Sequence, residues 1–166
     1  SVASSVVLVN TIPLWTALMA PFITGERPSR KTLGGILISI VGGTVIGAGD
    51  FSLGSRALWG DALALLGGIT AACYIMLGKK ARGSLSLQSY TFVCYGSAAC
   101  CLWIALLFSG LSLGPYTPQT WFMFLGMALI SQMVGHSSYN WALRWLSSSF
   151  VAVSLLGEPI GGTLLA

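Results

Sequence analysis

Six stretches of this chain are continuously apolar over roughly the 20 residues that a helix needs to cross a bilayer. They lie at about 2–23, 32–48, 59–78, 87–108, 120–143 and 147–166. Continuous runs, without apolar–polar alternation, predict helices and not the strands of a membrane barrel. Charge decides against six buried core helices of a soluble protein. Only 7% of the residues are charged, whereas a soluble domain averages about 25%. Eight basic and four acidic residues cannot cover a water-soluble globule of this size, and the mean hydropathy of +0.83 agrees. The expected fold class is an all-α integral membrane protein, a polytopic helix bundle. Soluble enzymes, nucleic-acid modules and disordered tails are excluded.

The basic residues orient the bundle. The first connection carries Arg27, Arg30 and Lys31, the third Lys79, Lys80 and Arg82, and the fifth Arg144. The second carries only Arg56 and the fourth none, so alternate connections hold seven of the eight basic residues. The excess of Lys and Arg on cytoplasmic loops places 24–31, 79–86 and the region around 144 in the cytoplasm of a multi-pass cell-membrane protein. Trp59 and Trp121 then fall at the outer boundary and Trp141 and Trp145 at the inner one, as interfacial aromatics do. The net charge of +4 is used up in this way and gives no reason to expect nucleic acid. Cys73, Cys94, Cys100 and Cys101 lie in apolar runs without a CxxC spacing, and the single histidine is not placed to share a metal with them. Neither a metal nor a cofactor is expected. No signal peptide is visible, and both ends read as cut from something longer. Small residues recur every fourth position at Gly35, Ser39, Gly43 and Gly47, and again at Ala64, Gly68 and Ala72, which predicts close helix packing.

Sliding the chain against itself by 146 residues lays its first span over its last: Val7 on Val153, Pro13 on Pro159, Leu18 on Leu164, Ala20 on Ala166. The loop charges make the two copies antiparallel, as in the inverted repeats of secondary transporters. From the first span to the sixth the repeat unit is five helices. Residues 1–50 would then hold the last two helices of a first repeat, and 51–166 a second repeat truncated at its end.

The run TIPLWTALMAPFITGERPS, the following GGILISIVGGTVI, the segment GHSSYNWALRWL and the closing LLGEPIGGTLLA resemble the EamA-type drug/metabolite transporter superfamily. The resemblance covers the whole chain. It implies ten helices in two inverted five-helix repeats around a central cavity, of which this chain would supply about helices four to nine. It also implies a permease that exports amino acids or other metabolites, or exchanges sugar conjugates. Ile12 stands where the second copy has Glu158, so an acidic role would not be symmetric.

Glu158 is the leading functional candidate, because an acid near the bilayer midplane is costly and marks a site by default. Pro159 cannot donate a hydrogen bond and frees the carbonyl of Leu155, while Gly157 loosens the same turn. Pro13 frees the Val9 carbonyl beside Asn10 in the matching span. Paired helix breaks of this kind point to a transporter binding site. Gln132, His136, Asn140 and Arg144 are spaced by four and should form one polar face. His136 could exchange a proton with Glu158. Trp15, Tyr74 and Tyr95 are aromatic candidates for the same cavity. Asp61 reads as a helix cap at the start of the third span, and Glu26 as a tether of the first connection. Gly47-Ala48-Gly49-Asp50 matches the GxGD of intramembrane aspartyl proteases. Asp50 and Asp61 both lie at the outer edge, however, where they cannot share a proton inside the membrane.

The expected protein is therefore not an enzyme. It is a secondary-active carrier of a small metabolite working by alternating access, with substrate contacts at Glu158, His136, Asn140, Gln132, Asn10, Trp15, Tyr74 and Tyr95. Its partners would be the lipid bilayer and the substrate, with protons as coupling ion and a homodimer as open options. The competing expectation is a non-transporting membrane scaffold or partner subunit in which the polar residues only join helices.

Overall fold

The computed structural model describes residues 8–47 and 55–157, and every regular element among them is helical. The elements are α1 (Ile12–Ile23), α2 (Arg30–Gly47), α3 (Ser55–Ser84), α4 (Leu87–Ser109), α5 (Pro118–Gly126), a π-helical segment (Met127–His136), α6 (Ser137–Ala142) and α7 (Ser148–Ser154). Glu158, Pro159, Asp50 and the GxGD stretch beyond Gly47 lie outside the described residues, as does the side chain of Ser39. From Leu58 onward α3 is long and apolar enough to cross a membrane, and so is α4.

The chain forms two compact units, Ser1–Lys80 with Leu146–Ala166, and Ala81–Trp145. In the first, α1 packs against α7 and α2, and α2 also packs against α7. Its core is Ala20, Ala72 and Met76, fully buried, with Ile12, Trp15, Met19 and Ile23 packed around them. Small residues at Ala20 and Ala72 let the helix backbones approach, which is what the Ala64–Gly68–Ala72 spacing predicts. Between α1 and α2 the chain turns at Gly25, whose φ of +74° only glycine adopts without strain.

That turn presents Glu26 to the start of α7. One carboxylate oxygen accepts from both the backbone N–H and the hydroxyl of Ser148, at 2.7 and 2.6 Å. The other lies 3.6 Å from Lys79 Nζ, and Lys79 in turn donates to the Leu146 carbonyl at 2.8 Å. A carboxylate at a helix start satisfies an otherwise orphaned N–H and complements the helix dipole. Glu26 is thus the tether that its loop position suggests, and it gathers three distant parts of the chain.

In the second unit α4 begins at Ser86, whose hydroxyl accepts from Ser89 N–H, and ends at Gly110 with φ +66°. Thr117 caps α5 in the same manner. Tyr116, Trp121 and Phe124 meet edge to face, with centroids 5.7–6.0 Å apart, at the start of α5. Large apolar side chains point outward along α4 and α5, Phe92, Leu107, Phe108 and Phe122 among them. In water that surface would be an aggregation site; in a bilayer it is the lipid-facing side.

Three expectations need correction. The third span does not stop at 78 but continues through Ser84, so Lys79, Lys80 and Arg82 are helical and the connection shrinks to Leu85–Ser86. Lys and Arg are good helix formers, and charge ends the apolar run without ending the helix. Because α3 begins at Ser55, Asp61 sits in its second turn and is not a cap; one of its carboxylate oxygens is buried without a hydrogen-bond partner. The fifth span is not a uniform α-helix, since ten residues from Met127 to His136 take the wider π form. There Ser137 N–H reaches the Gln132 carbonyl five residues back. The Ser138 hydroxyl bonds the Val134 carbonyl at 2.6 Å, competing for a backbone acceptor as mid-helix serines do.

Candidate functional site

The first unit contains the expected helix break. Leu8 and Val9 are helical, Asn10 and Thr11 form a turn, and α1 restarts at Ile12 with Pro13 in its first turn. Proline suits that position because it needs no N–H there, and for the same reason it gives the Val9 carbonyl no donor. Thr11 holds the break together. Its N–H and its hydroxyl both donate to the Leu8 carbonyl, at 3.2 and 2.5 Å, and its hydroxyl accepts the Trp15 indole N–H at 2.9 Å. Trp15 is thereby fixed against the Ala20–Ala72–Met76 core. Asn10 is half-buried in the turn, and Tyr74 is half-buried on α3.

Gly68 of α3 lies against this break. A β-carbon there would stand 3.1 Å from the Leu8 carbonyl oxygen, 3.4 Å from the Thr11 hydroxyl and 3.5 Å from the Val9 carbonyl oxygen. Gly68→Leu should therefore force α3 from the break and lower stability by about 1–3 kcal/mol, read as a lower unfolding midpoint in detergent. Gly67→Leu, next to it but facing open space, should change the midpoint little.

The other end of the first unit mirrors the break. After Ser154 the helix gives way to a turn at Leu155–Leu156, where Leu156 N–H bonds the Val153 carbonyl at 3.1 Å. Under the 146-residue offset the turn at Asn10–Thr11 and that at Leu155–Leu156 agree to within one residue. Gly157 is exposed at the end of the described chain.

The second unit brings Tyr95, Ser137, Gln132 and Asn140 into one hydrogen-bonded chain. Asn140 Nδ2 donates to the Tyr95 hydroxyl at 3.0 Å. That hydroxyl lies 3.3 Å from Ser137 Oγ, and Ser137 Oγ donates to the Gln132 carbonyl at 3.5 Å. Asn140 is 1% exposed, so its amide joins α4 to α6. His136 stands apart from this chain: it is exposed and meets Tyr139 edge to face at 6.3 Å. Arg144 follows α6 in a turn, its guanidinium 5.5 Å from the centre of the Trp145 ring. The expected single polar face is thus divided: Asn140 is buried in the bond to Tyr95, His136 is exposed against Tyr139, and Arg144 stands over Trp145. Leu87, Met133, Val134, Ser137, Ser138 and Trp141 border a shallow groove of about 270 Å³ in the same unit.

Thr11 and Gly68 carry no polar pattern of their own, and reasoning from sequence passed over them as site residues. The only advance signals were Thr11's place two residues before Pro13 and Gly68's place in a small-residue stripe.

Among the described residues every regular element is helical, two helices are long and apolar enough to cross a membrane, and large apolar side chains face outward, as in a polytopic membrane protein. Residues 58–166 match the EamA-like transporter family, and the chain belongs to it. It is 27% identical over 165 residues to an uncharacterized transporter of Archaeoglobus fulgidus. The alignment takes in 96% of this chain and 56% of that protein, so the chain spans about half the length of the relative it matches. No solved structure matches it.

Proposed function

We propose that this chain is part of a secondary-active exporter of a small metabolite, such as an amino acid, in the cell membrane. It works by alternating access and is coupled to protons. The first, third and fifth connections face the cytoplasm, and a boundary between inverted five-helix repeats falls near residue 50. Substrate binds near the midplane, at the paired breaks around Asn10 and Glu158. The observation that carries this reading is the pair of interrupted helices at Asn10–Thr11 and Leu155–Leu156. Broken helices supply free backbone carbonyls and are tolerated at membrane depth where they line a cavity. Glu158, three residues past Leu155, supplies the one acid in that span.

The test uses the full-length protein in liposomes loaded with a pH-sensitive dye, challenged in turn with amino acids, nucleosides and small sugars. Substrate-dependent proton movement is expected, and Glu158→Gln should reduce it at least about tenfold, as loss of a hydrogen bond to a charged group does. Flux that persists without proton movement would discard the coupling and keep the carrier. A folded wild-type protein that moves nothing on the panel would count against the carrier.

A structural role has better support for two of the candidate contacts, Asn140 and Tyr95. Asn140 is buried and bonded to Tyr95, which is how interhelical hydrogen bonds join membrane helices.

A further inference from the structure

Asp61 is the one acid in the membrane-length stretch of α3, Leu58–Ser84. Cover along this helix follows the helical period. Ala64, Leu65, Gly68 and Ala72 are half-buried or buried, whereas Leu58, Trp59, Leu63 and Leu66 are exposed. Asp61, three and four residues before Ala64 and Leu65, belongs to the inward set. One of its carboxylate oxygens is fully covered and has no hydrogen-bond partner among the described residues. A covered carboxylate needs a cation or a hydrogen-bond donor, and an acid in a spanning helix marks a site by default. Seven residues on, Gly68 lies on the same face, about 10 Å along the axis, and receives the break of α1. The Val9 carbonyl, to which Pro13 gives no donor, would stand 3.5 Å from a β-carbon on Gly68. Thr11 cannot fill it, because its hydroxyl hydrogen is committed to the Leu8 carbonyl. The inward face of α3 thus presents two acceptors in want of donors, one of them a carboxylate. Among the described residues no three His, Cys, Asp or Glu stand together to hold a metal ion. The cation that suits this face is organic: an ammonium group brings positive charge and three N–H donors.

We propose that Asp61 takes the ammonium group of the substrate, which makes the substrate class protonated primary amines, amino acids among them. The covered Asp61 oxygen accepts an N–H of the ammonium. The rest of a small amine extends along α3 toward the Val9 carbonyl at the break. A charge-assisted bond of this kind is about twice as strong as one between neutral groups, so Asp61 discriminates against molecules of the same shape that lack the charge. This deepens the transport reading and rests on it.

The full-length protein in lipid nanodiscs would be dialysed to equilibrium against leucine, isoamylamine and putrescine, with empty nanodiscs as the blank. Isocaproate and isoamyl alcohol, which keep the carbon skeleton and lack the ammonium, are run beside them. Wild type should retain at least one of the amines and neither of the other two compounds. Asp61→Asn keeps the shape of the side chain and should weaken that binding about tenfold or more, the usual cost of losing a hydrogen bond to a charged group. Asp61→Glu keeps the charge and should keep part of the affinity. Removing a covered charge that has no partner should not lower the unfolding midpoint, so lost binding in Asp61→Asn can be told from misfolding. The retained amine is then tested for flux in liposomes. Binding without flux keeps the ammonium site and counts against the carrier. Flux of another solute, unchanged in Asp61→Asn, keeps the carrier and discards the site. If wild type retains no amine, if it retains the compounds without ammonium equally well, or if folded Asp61→Asn binds as wild type does, the proposal is overturned.

Discussion

Glu26→Ala will release α7 from its tether and lower stability by about 3 kcal/mol, since it leaves two buried Ser148 donors unpaired at about 1–3 kcal/mol each. The Ser148 N–H and hydroxyl both end on one Glu26 oxygen, and Ser148 is fully buried, so water cannot take over. Lys79 is worth less. It sits 3.6 Å from the carboxylate with both side chains 23% exposed, and exposed pairs contribute about 0–1 kcal/mol. The expected order of destabilisation is therefore Glu26→Ala, then Glu26→Gln, which keeps one acceptor, then Lys79→Met. Local opening can be read directly with a cysteine at Val151, which is 1% exposed on α7. Combined with Glu26→Ala, its reaction with a water-soluble maleimide should speed up about 100-fold, the equivalent of roughly 3 kcal/mol. Unchanged labelling would mean that the packing of α7 on α1 and α2 holds it without the tether.

Reading the chain from sequence worked where one local property decides the outcome. Apolar run length located the helices, because nothing else satisfies backbone hydrogen bonds in lipid. The Pro13 break was legible for an equally local reason, the missing N–H. Two failures share the opposite cause. Lys79, Lys80 and Arg82 were read as loop because polarity was taken as a boundary, yet a helix can leave the apolar region and continue. Asp61 was read as a cap on the same mistaken start point. At the end of the π segment Ser137 and Ser138 bond back to the Gln132 and Val134 carbonyls, and helical periodicity in the sequence does not distinguish the π form from the α form. Glu26 could be recognised as a tether from its loop, but its partner Ser148 is 122 residues away. Hydrogen bonds of that range leave no trace in a single sequence.

The division of the polar face has a measurable consequence at Tyr95 and Asn140. If their bond is a helix joint, the two residues are energetically coupled, and stability is the quantity that moves. Tyr95→Phe should cost about 1 kcal/mol and Asn140→Ala about 1–3 kcal/mol, because the Asn140 side chain is buried while its partner keeps a second neighbour at Ser137. The double variant should fall short of the sum by about 0.6–1.7 kcal/mol, the range found for hydrogen bonds between membrane helices. Equilibrium unfolding in detergent of all four proteins measures this directly. A solvent-filled cavity at Asn140 predicts the contrary: water would replace the lost partner, the two losses would add, and a cysteine at position 140 would react freely with aqueous reagents. Tyr95 separates the cases most cleanly, since phenylalanine keeps its shape and removes only the hydroxyl on which Asn140 Nδ2 and Ser137 Oγ both converge. Additive losses would return Asn140 to the candidate substrate contacts, and coupled ones would leave the paired breaks at Asn10–Thr11 and Leu155–Leu156 as the centre of the proposed site.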